Sequence, residues 1–320
     1  MSLWILLPWQ RKFLDIKMSE IKKYEHQPVL LTPSVDALIT DKSGIYVDAT
    51  FGGGGHSKEI LNHLNDDGKL YAFDRDIDAL DNQISDKRLV LVKSDFRYLK
   101  KYLRYLGVTK INGLLADLGV SSWHFDADQR GFSFQSGTAL DMRMNVEQDL
   151  TAELVLKSYS ETELIKILTE FGEITNAKPL VAKWIKERKM ININTCDAFA
   201  DWLDPFVYGK RQKYLAQVFQ ALRIEVNGEL ESLKELLIQS GDLVQAKGKL
   251  VVISYHSLED RIVKSYFKGE WPIDSNVDVF GKRKKIFKQV NKEVIVPDQK
   301  EIEFNSRSRS AKMRVGEKQI

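Results

Sequence analysis

Four consecutive glycines, in Asp48-Ala-Thr-Phe-Gly-Gly-Gly-Gly-His56, constrain this chain more than any other stretch. A short apolar run, Ile45-Tyr46-Val47, leads into them, and a helix-like segment from Ser57 to Leu64 leads out. A second apolar run, Lys69-Leu-Tyr-Ala-Phe73, then ends on Asp74, followed by Arg75 and Asp76. Glycine adopts positive φ without strain and lets the backbone come close to a ligand. An acid at the end of the second strand accepts hydrogen bonds from ribose hydroxyls. A glycine run alone would equally describe a plain mobile turn. With the acid at this spacing, the pattern reads as the first βαβ unit of a nucleotide-binding sheet.

The sign of one charge narrows the ligand. The dinucleotide fingerprint G-x-G-x-x-G seats a pyrophosphate on a helix N-terminus. Gly52 and Gly54 fill its first two places, but the third falls on Ser57. Asp48, at the end of the first strand, would repel a pyrophosphate, whereas it would attract an ammonium group directly or through water. The arrangement therefore suits S-adenosylmethionine, a nucleoside carrying an amino acid, better than NAD.

Alternation continues downstream. Asp78 to Ile84 reads as a helix, Leu89 to Lys93 as a strand, Tyr98 to Leu106 as a helix, and Ile111 to Asp117 as a fourth strand. Such alternation implies a mostly parallel sheet with right-handed crossovers. Ligands in such sheets bind beyond the carboxyl ends of the strands, where Asp48, Asp74, Asp95 and Asp117 all fall. One strand-end aspartate is often only a helix cap; four on one rim read as a site.

The pattern then breaks. From Trp123 to Tyr208 there are helical periods at Ala152 to Ser158, Glu161 to Phe171, Lys178 to Lys189 and Asp197 to Phe206, with no convincing strand. We therefore expect a helical insertion over 123–208, with a methyltransferase-type domain built from 18–122 and 209–320. Ala216 to Ser240 reads as one helix, Lys249 to Ser254 as a fifth strand, and Leu258 to Phe267 as a further helix. Trp271 to Glu301 is polar, basic and weakly periodic, and reads as a long surface loop.

Bulk composition excludes little but is consistent. A hydrophobic fraction of 43% is ordinary for a globular protein. The one cysteine, Cys196, rules out an internal disulfide and reads as a passive helix residue. The net charge of +3 says little, but cations outnumber acids from Gly281 onward. Such a tail is either a solvated surface or a phosphate contact. The apolar run near Met1 is too short to span a bilayer and lacks a preceding basic region, so residues 1–17 read as an extension outside the fold. A cytoplasmic protein without membrane attachment is expected.

Several segments have compositions that core packing does not demand. Arg130-Gly-Phe-Ser-Phe134 and Leu140-Asp-Met-Arg-Met144 follow the fourth strand. They read either as a packed Ω-loop or as an RNA contact, with Phe132 and Phe134 stacking on bases and Arg130 or Arg143 holding phosphate. Arg223, Glu225, Asn227 and Glu229 read as helix-surface pairs at their simplest. His256, after the fifth strand, is either a site residue or a cap.

The segments DATFGGGGHS, FDRD, LADLGVSS, RGFSF, LDMRM, FQALRIEVNGEL, SYHSLEDRIVK and NSRSRSAKMRV together resemble the RsmH (MraW) family, from Tyr24 to Val315 and in the family's order. The resemblance implies a Rossmann-like class I S-adenosylmethionine-dependent sheet with a helical substrate-recognition insertion. It implies methylation of the N(4) amine of a cytidine in the decoding region of 16S ribosomal RNA; the substrate is either the naked RNA or the small ribosomal subunit, and the basic tail favours the subunit. It also implies cofactor contacts by Gly54, Gly55, His56, Asp74, Phe96 and Asp117. Where the family often carries Ser-Ser-Pro-Gln, this chain has Ser121-Ser122-Trp123-His124, so His124 takes the cofactor-contacting place of the glutamine.

Transfer to an exocyclic amine needs an acceptor at that amine, because ring conjugation withdraws the nitrogen lone pair. Asp117, or a main-chain carbonyl in 117–121, is one candidate and His256 the alternative. No metal is implied. Two rival classes remain: an NAD-dependent oxidoreductase, against which Asp48 argues, and a noncatalytic RNA-binding assembly factor, against which the intact cofactor turn argues.

Overall fold

A computed structural model describes residues 28–82, 84–119, 130–272, 285–291 and 293–319. The expected extension at 1–17 and His124 lie outside these residues. Strand β1 (Ile45–Asp48) lies between β2 (Lys69–Asp74) and β4 (Ile111–Asp117), parallel to both. Beyond β2 lies β3 (Leu89–Lys93), and beyond β4 lies β5 (Val244–Ser254), again parallel. Strand β7 (Lys312–Lys318) runs antiparallel to β5 and is flanked by the short β6 (Phe287–Gln289). The order is β3-β2-β1-β4-β5-β7-β6, the mostly parallel, Rossmann-like sheet of class I methyltransferases. The chain reverses its direction of travel between β1 and β4, and that reversal opens a crevice at the carboxyl ends of those strands.

Both faces of the sheet are covered, which is why β1, β2 and β4 read as nearly continuous apolar runs. On one face, Val35 and Leu38 of α1 (Leu31–Leu38) and Ile60 and Leu61 of α2 (Gly55–His63) pack on Tyr46, Leu70 and Leu115. On the other, Val47, Phe73 and Leu114 meet α3 (Leu99–Tyr105), α9 (Glu229–Leu243) and α10 (Ser257–Lys268).

The helical insertion has a core of its own. It comprises α4 (Ala152–Ser158), α5 (Glu161–Glu170), α6 (Ala177–Glu187) and α7 (Cys196–Leu203). Helix α8 (Arg211–Asn227) adds Leu215, Val218, Phe219 and Leu222 to the same apolar cluster. That cluster therefore continues past residue 208, up to Gly228. Trp184 lies within it, 5.5 Å from the Phe199 ring and 4.9 Å from the Trp202 ring. Cys196 is fully buried there, its thiol directed at Gly131 O (3.4 Å).

Three expectations fail for local reasons. The segment from Asp78 is only a 3-10 turn, Asp78–Asp81. The single helix expected from Ala216 to Ser240 is two, α8 and α9, because Gly228 takes φ 57° and caps one while opening the other. The basic C-terminal stretch is partly core: Met313 and Val315 on β7 and Phe287 on β6 are buried. Strand β6 thus lies inside the stretch expected as a loop, 271–301, and a short helix, α11 (Gln299–Phe304), begins at its end.

Candidate active site

The glycine turn is stitched to the strands on both sides of it. Ala49 N–H donates to Leu115 O and Phe51 N–H donates to Phe73 O, each at 2.8 Å. Thr50 Oγ1 accepts from Asp117 N–H (2.8 Å). Gly52 (φ 51°) and Gly54 (φ 74°) are left-handed, a conformation that a side chain disfavours. Gly54 caps α2. A Cβ at Gly54 would approach the Phe51 ring to 2.9 Å, and one at Gly55 would approach Pro28 Cγ to 2.1 Å. At Gly52 and Gly53 a Cβ would meet nothing within 4 Å, so that side of the turn is open. The backbone is thus pinned from beneath and accessible from above.

The strand-end acids divide into two kinds. Asp74 accepts from Gly52 N–H through Oδ2 and from Asp76 N–H through Oδ1, each at 2.8 Å. Burial raises its pKa above the ordinary aspartate value, against the pull of those two N–H groups. It stands beside the turn, at the end of β2. Asp48 is fully buried; its oxygens accept from Ser57 Oγ (2.7 Å) and Thr50 N–H (3.1 Å). Burial raises its pKa too, partly offset by His56. Its carboxylate is thus held beneath the turn. Asp95 is structural: it caps the 3-10 turn at Phe96–Tyr98 and pairs with Arg75 (3.3 Å). Phe96, half-buried, packs against the sheet core beside it.

Asp117 closes the crevice on the β4 side. His56 Nδ1 lies 3.9 Å from Asp117 Oδ2, while His56 Nε2 lies 3.1 Å from Val29 O. Gly119 N–H donates to Asp117 Oδ1 (3.3 Å). The Tyr255 hydroxyl hydrogen-bonds the same carboxylate, and burial followed by the Asp117 charge pushes its pKa well above the ordinary tyrosine value. A Cβ at Gly119 would sit 2.8 Å from the Tyr255 ring, so the two segments touch. An open turn, an acid for ribose hydroxyls and a second carboxylate across the crevice together fit a nucleoside bearing an amino acid.

His256 is the N-cap of α10 in a reciprocal capping box. Its Nδ1 accepts from Glu259 N–H (3.5 Å), and Glu259 Oε2 accepts from His256 N–H (3.3 Å) and Tyr255 N–H (2.8 Å). His256 Nε2 lies 3.2 Å from Glu259 Oε1 but without hydrogen-bond alignment. Glu229 is close by, its ligand atoms within 4.8 Å of those of His256 and Glu259. Both Glu229 oxygens, however, accept from Arg223 at 2.9 Å. Burial alone would raise the Glu229 pKa, but Arg223 outweighs it and holds it below the ordinary range. Within this buried group Arg223 neutralises Glu229, while Glu259 is engaged by the backbone N–H groups of the cap.

The four residues expected to meet substrate are engaged within the fold. Arg130 makes a bidentate pair with Asp76 (3.0 and 3.1 Å) and also bonds Asp78. Arg143 grips Asp141 (2.7 and 2.8 Å) and donates to Val146 O and Gln148 O. Phe132 is buried, and Phe134 sits edge-on to Phe219 with centroids 5.8 Å apart. Arg75 reaches Asn227 O (2.8 Å) and Met144 Sδ (2.6 Å). The Asn227 amide accepts from Met144 N–H (2.8 Å) and donates to Met142 O (2.7 Å). These segments latch the insertion onto the sheet beside Asp74.

Sequence reasoning missed Tyr255 and the latch. Tyr255 carried one signal, its place one residue past a strand end. The latch carried none, since its partners are separated by up to 152 positions.

The MraW methylase family model matches residues 23–319. A Ribosomal RNA small subunit methyltransferase H of Phocaeicola vulgatus is 49% identical over 303 residues, spanning 94% of this chain and 100% of its own length. Its counterpart in Cytophaga hutchinsonii is 50% identical over 298 residues, spanning 92% and 99%. That of Christiangramia forsetii is 48% identical over 295 residues, spanning 92% and 97%. The chain belongs to the MraW methylase family.

Proposed function

We propose that the chain methylates 16S ribosomal RNA, transferring a methyl group from S-adenosylmethionine to the N(4) amine of a cytidine in the decoding region. The observation that carries this reading is the crevice between β1 and β4, where Asp117 is tied to Thr50 and lies beside His56 of the glycine turn, and Asp74 binds Gly52 from β2. Bound there, S-adenosylmethionine supplies the electrophilic methyl group. The turn at 52–55, His56, Asp74, Phe96 and Asp117 would hold it, with His124 assigned by resemblance alone.

The chain's own contribution is position and an acceptor. Holding the amine in line with the methyl group removes most of the entropic part of the barrier. Asp117 is fixed by Tyr255, Gly119 N–H and His56, and a carboxylate has lone pairs to spare for the amine. An acceptor there raises the nucleophilicity of the nitrogen and receives its proton. His256 is the weaker candidate, because Nδ1 serves the helix cap and Nε2 faces Glu259. Arg130, Arg143, Phe132 and Phe134 serve the substrate by fixing the insertion that recognises it.

The basic C-terminal segment supports the choice of partner. Lys312 pairs with Ser254 across β5 and β7, so the Ser306–Ser310 turn preceding it lies at the same sheet end as Asp117. Exposed Arg309 is then available to phosphates of the small subunit, and half-exposed Lys312, 4.0 Å from Asp260, adds positive charge beside it. No helix among the described residues is long and apolar enough to cross a membrane, and a ribosomal substrate implies the cytoplasm.

The test is methyl transfer from labelled S-adenosylmethionine to small subunits lacking the modification, followed by nucleoside analysis. Label in N(4)-methylcytidine is the expected outcome. Cofactor binding without label in any RNA would move the chain to a noncatalytic assembly factor. Asp117→Asn should lower kcat by about 10²-fold or more while cofactor binding, measured by equilibrium dialysis, persists. Full turnover in that variant would remove Asp117 from the acceptor role.

A further inference from the structure

We propose that the outward face of α3 is a second RNA-contact surface, binding unpaired bases and their phosphates alongside the catalytic crevice. The proposal rests on the RNA-methylating reading above.

The sequence here is Phe96-Arg-Tyr-Leu-Lys-Lys-Tyr-Leu-Arg-Tyr-Leu106. Leu99 and Leu103 are fully buried and fix which side of α3 faces the core. Tyr98, Tyr102 and Tyr105 stand four and then three residues apart, the spacing that aligns side chains on one helix face. They are 52%, 38% and 87% exposed. One exposed aromatic needs no explanation, but three in a row form a patch of the kind that marks an interaction site. Folding accounts for only one of them. Tyr102 packs edge-on to Phe73, with centroids 6.4 Å apart. Tyr98 and Tyr105 have no ring or hydrogen-bond partner among the described residues.

The surrounding charge identifies the occupant. Lys101 and Arg104 are exposed and unpaired among the described residues. Lys100 pairs with Asp242 (2.5 Å), and Lys110 donates to Asp242 O (2.7 Å). Among the described residues, Asp242 of the neighbouring α9 is the acidic residue that bonds these cations, through its carboxylate to Lys100 and its carbonyl to Lys110. A second copy of the chain would present the same positive surface, so self-association through this face is disfavoured. RNA supplies the complement: bases stack on aromatic side chains without sequence preference, and phosphates are neutralised by Lys and Arg.

The location suits a ribosomal substrate. Tyr98 lies two residues past Phe96, at the rim that carries the cofactor-site acids. From there the stripe descends the flank for about 10 Å, at 1.5 Å per helical residue.

The test compares the parent with Tyr98→Ala/Tyr105→Ala and with Lys101→Glu/Arg104→Glu, all at exposed positions. Binding of a fluorescein-labelled single-stranded RNA is read by anisotropy, and methyl transfer is read on small subunits. About tenfold or greater loss of RNA affinity is expected in each variant. KM for subunits should rise with kcat, cofactor affinity and Tm unchanged, and the charge variant should also show a shallower salt dependence. RNA affinity and KM equal to the parent's would overturn the proposal. A shift in sedimentation without a change in RNA binding would also overturn it, assigning the face to a second copy. If the parent neither binds nor methylates RNA, the RNA-methylating reading itself fails, an outcome separable from failure of the variants alone.

Discussion

Asp48 is a carboxylate with no exposure, bonded to Ser57 and Thr50 and raised in pKa by burial. A raised folded-state pKa means that the ionised form costs stability. The cost therefore appears as pH climbs from the ordinary aspartate range through the raised value, and it persists above that. Asp48→Asn keeps the shape, since its amide can accept from Thr50 N–H and donate to Ser57 Oγ. Thermal melts should place this variant at or above the parent Tm at pH 7, with the gap closing as pH falls toward about 4. A parent-like dependence on pH in the variant would remove Asp48 as the source. Arg130 predicts the opposite sign. Arg130→Ala takes a bidentate guanidinium away from Asp76, which is 3% exposed, so urea unfolding should report a loss of about 3 kcal/mol. A loss near zero would free Arg130 for a surface role. From sequence, Asp48 was legible as an acid beside a turn. The engagement of Arg130 was not, because its partners lie more than fifty positions away.

At the scale of elements, helix α10 decides how His256 is understood. The box formed by His256 and Glu259 satisfies N–H groups at the helix start, a contribution of about 1 kcal/mol. Asparagine is among the best N-caps, so His256→Asn should leave Tm unchanged and kcat within about twofold of the parent if the imidazole serves only the cap. A kcat loss of about 10²-fold at unchanged Tm would instead assign His256 to the chemistry. The parallel strands were readable because fully covered strands form continuous apolar runs. Strand β7 was not, because Lys312, Arg314, Glu317 and Lys318 disguise a strand whose alternate residues Met313 and Val315 enter the core. The break at Gly228 was also hidden, since one glycine inside a helical pattern does not by itself require a turn.

At the scale of the whole molecule, the antiparallel β7 carries a basic segment back to the rim where β4 ends. Arg309→Glu with Lys312→Glu should weaken binding to small subunits and flatten its log–log salt dependence by about 0.7–0.9 for each phosphate that is no longer neutralised. Filter binding across a salt series checks this, and an unchanged slope would remove the segment from the interface. The sequence alone determined the glycine turn, the strand-end acids and the helices of 152–203, since each is written in local periodicity or in a short motif. The tertiary structure alone decided which polar groups are spent on the fold. Tyr255 joins Asp117, Arg130 joins Asp76, and Arg223 joins Glu229 only after strands and helices distant in sequence have packed. A buried charge must find its partner wherever the fold brings one.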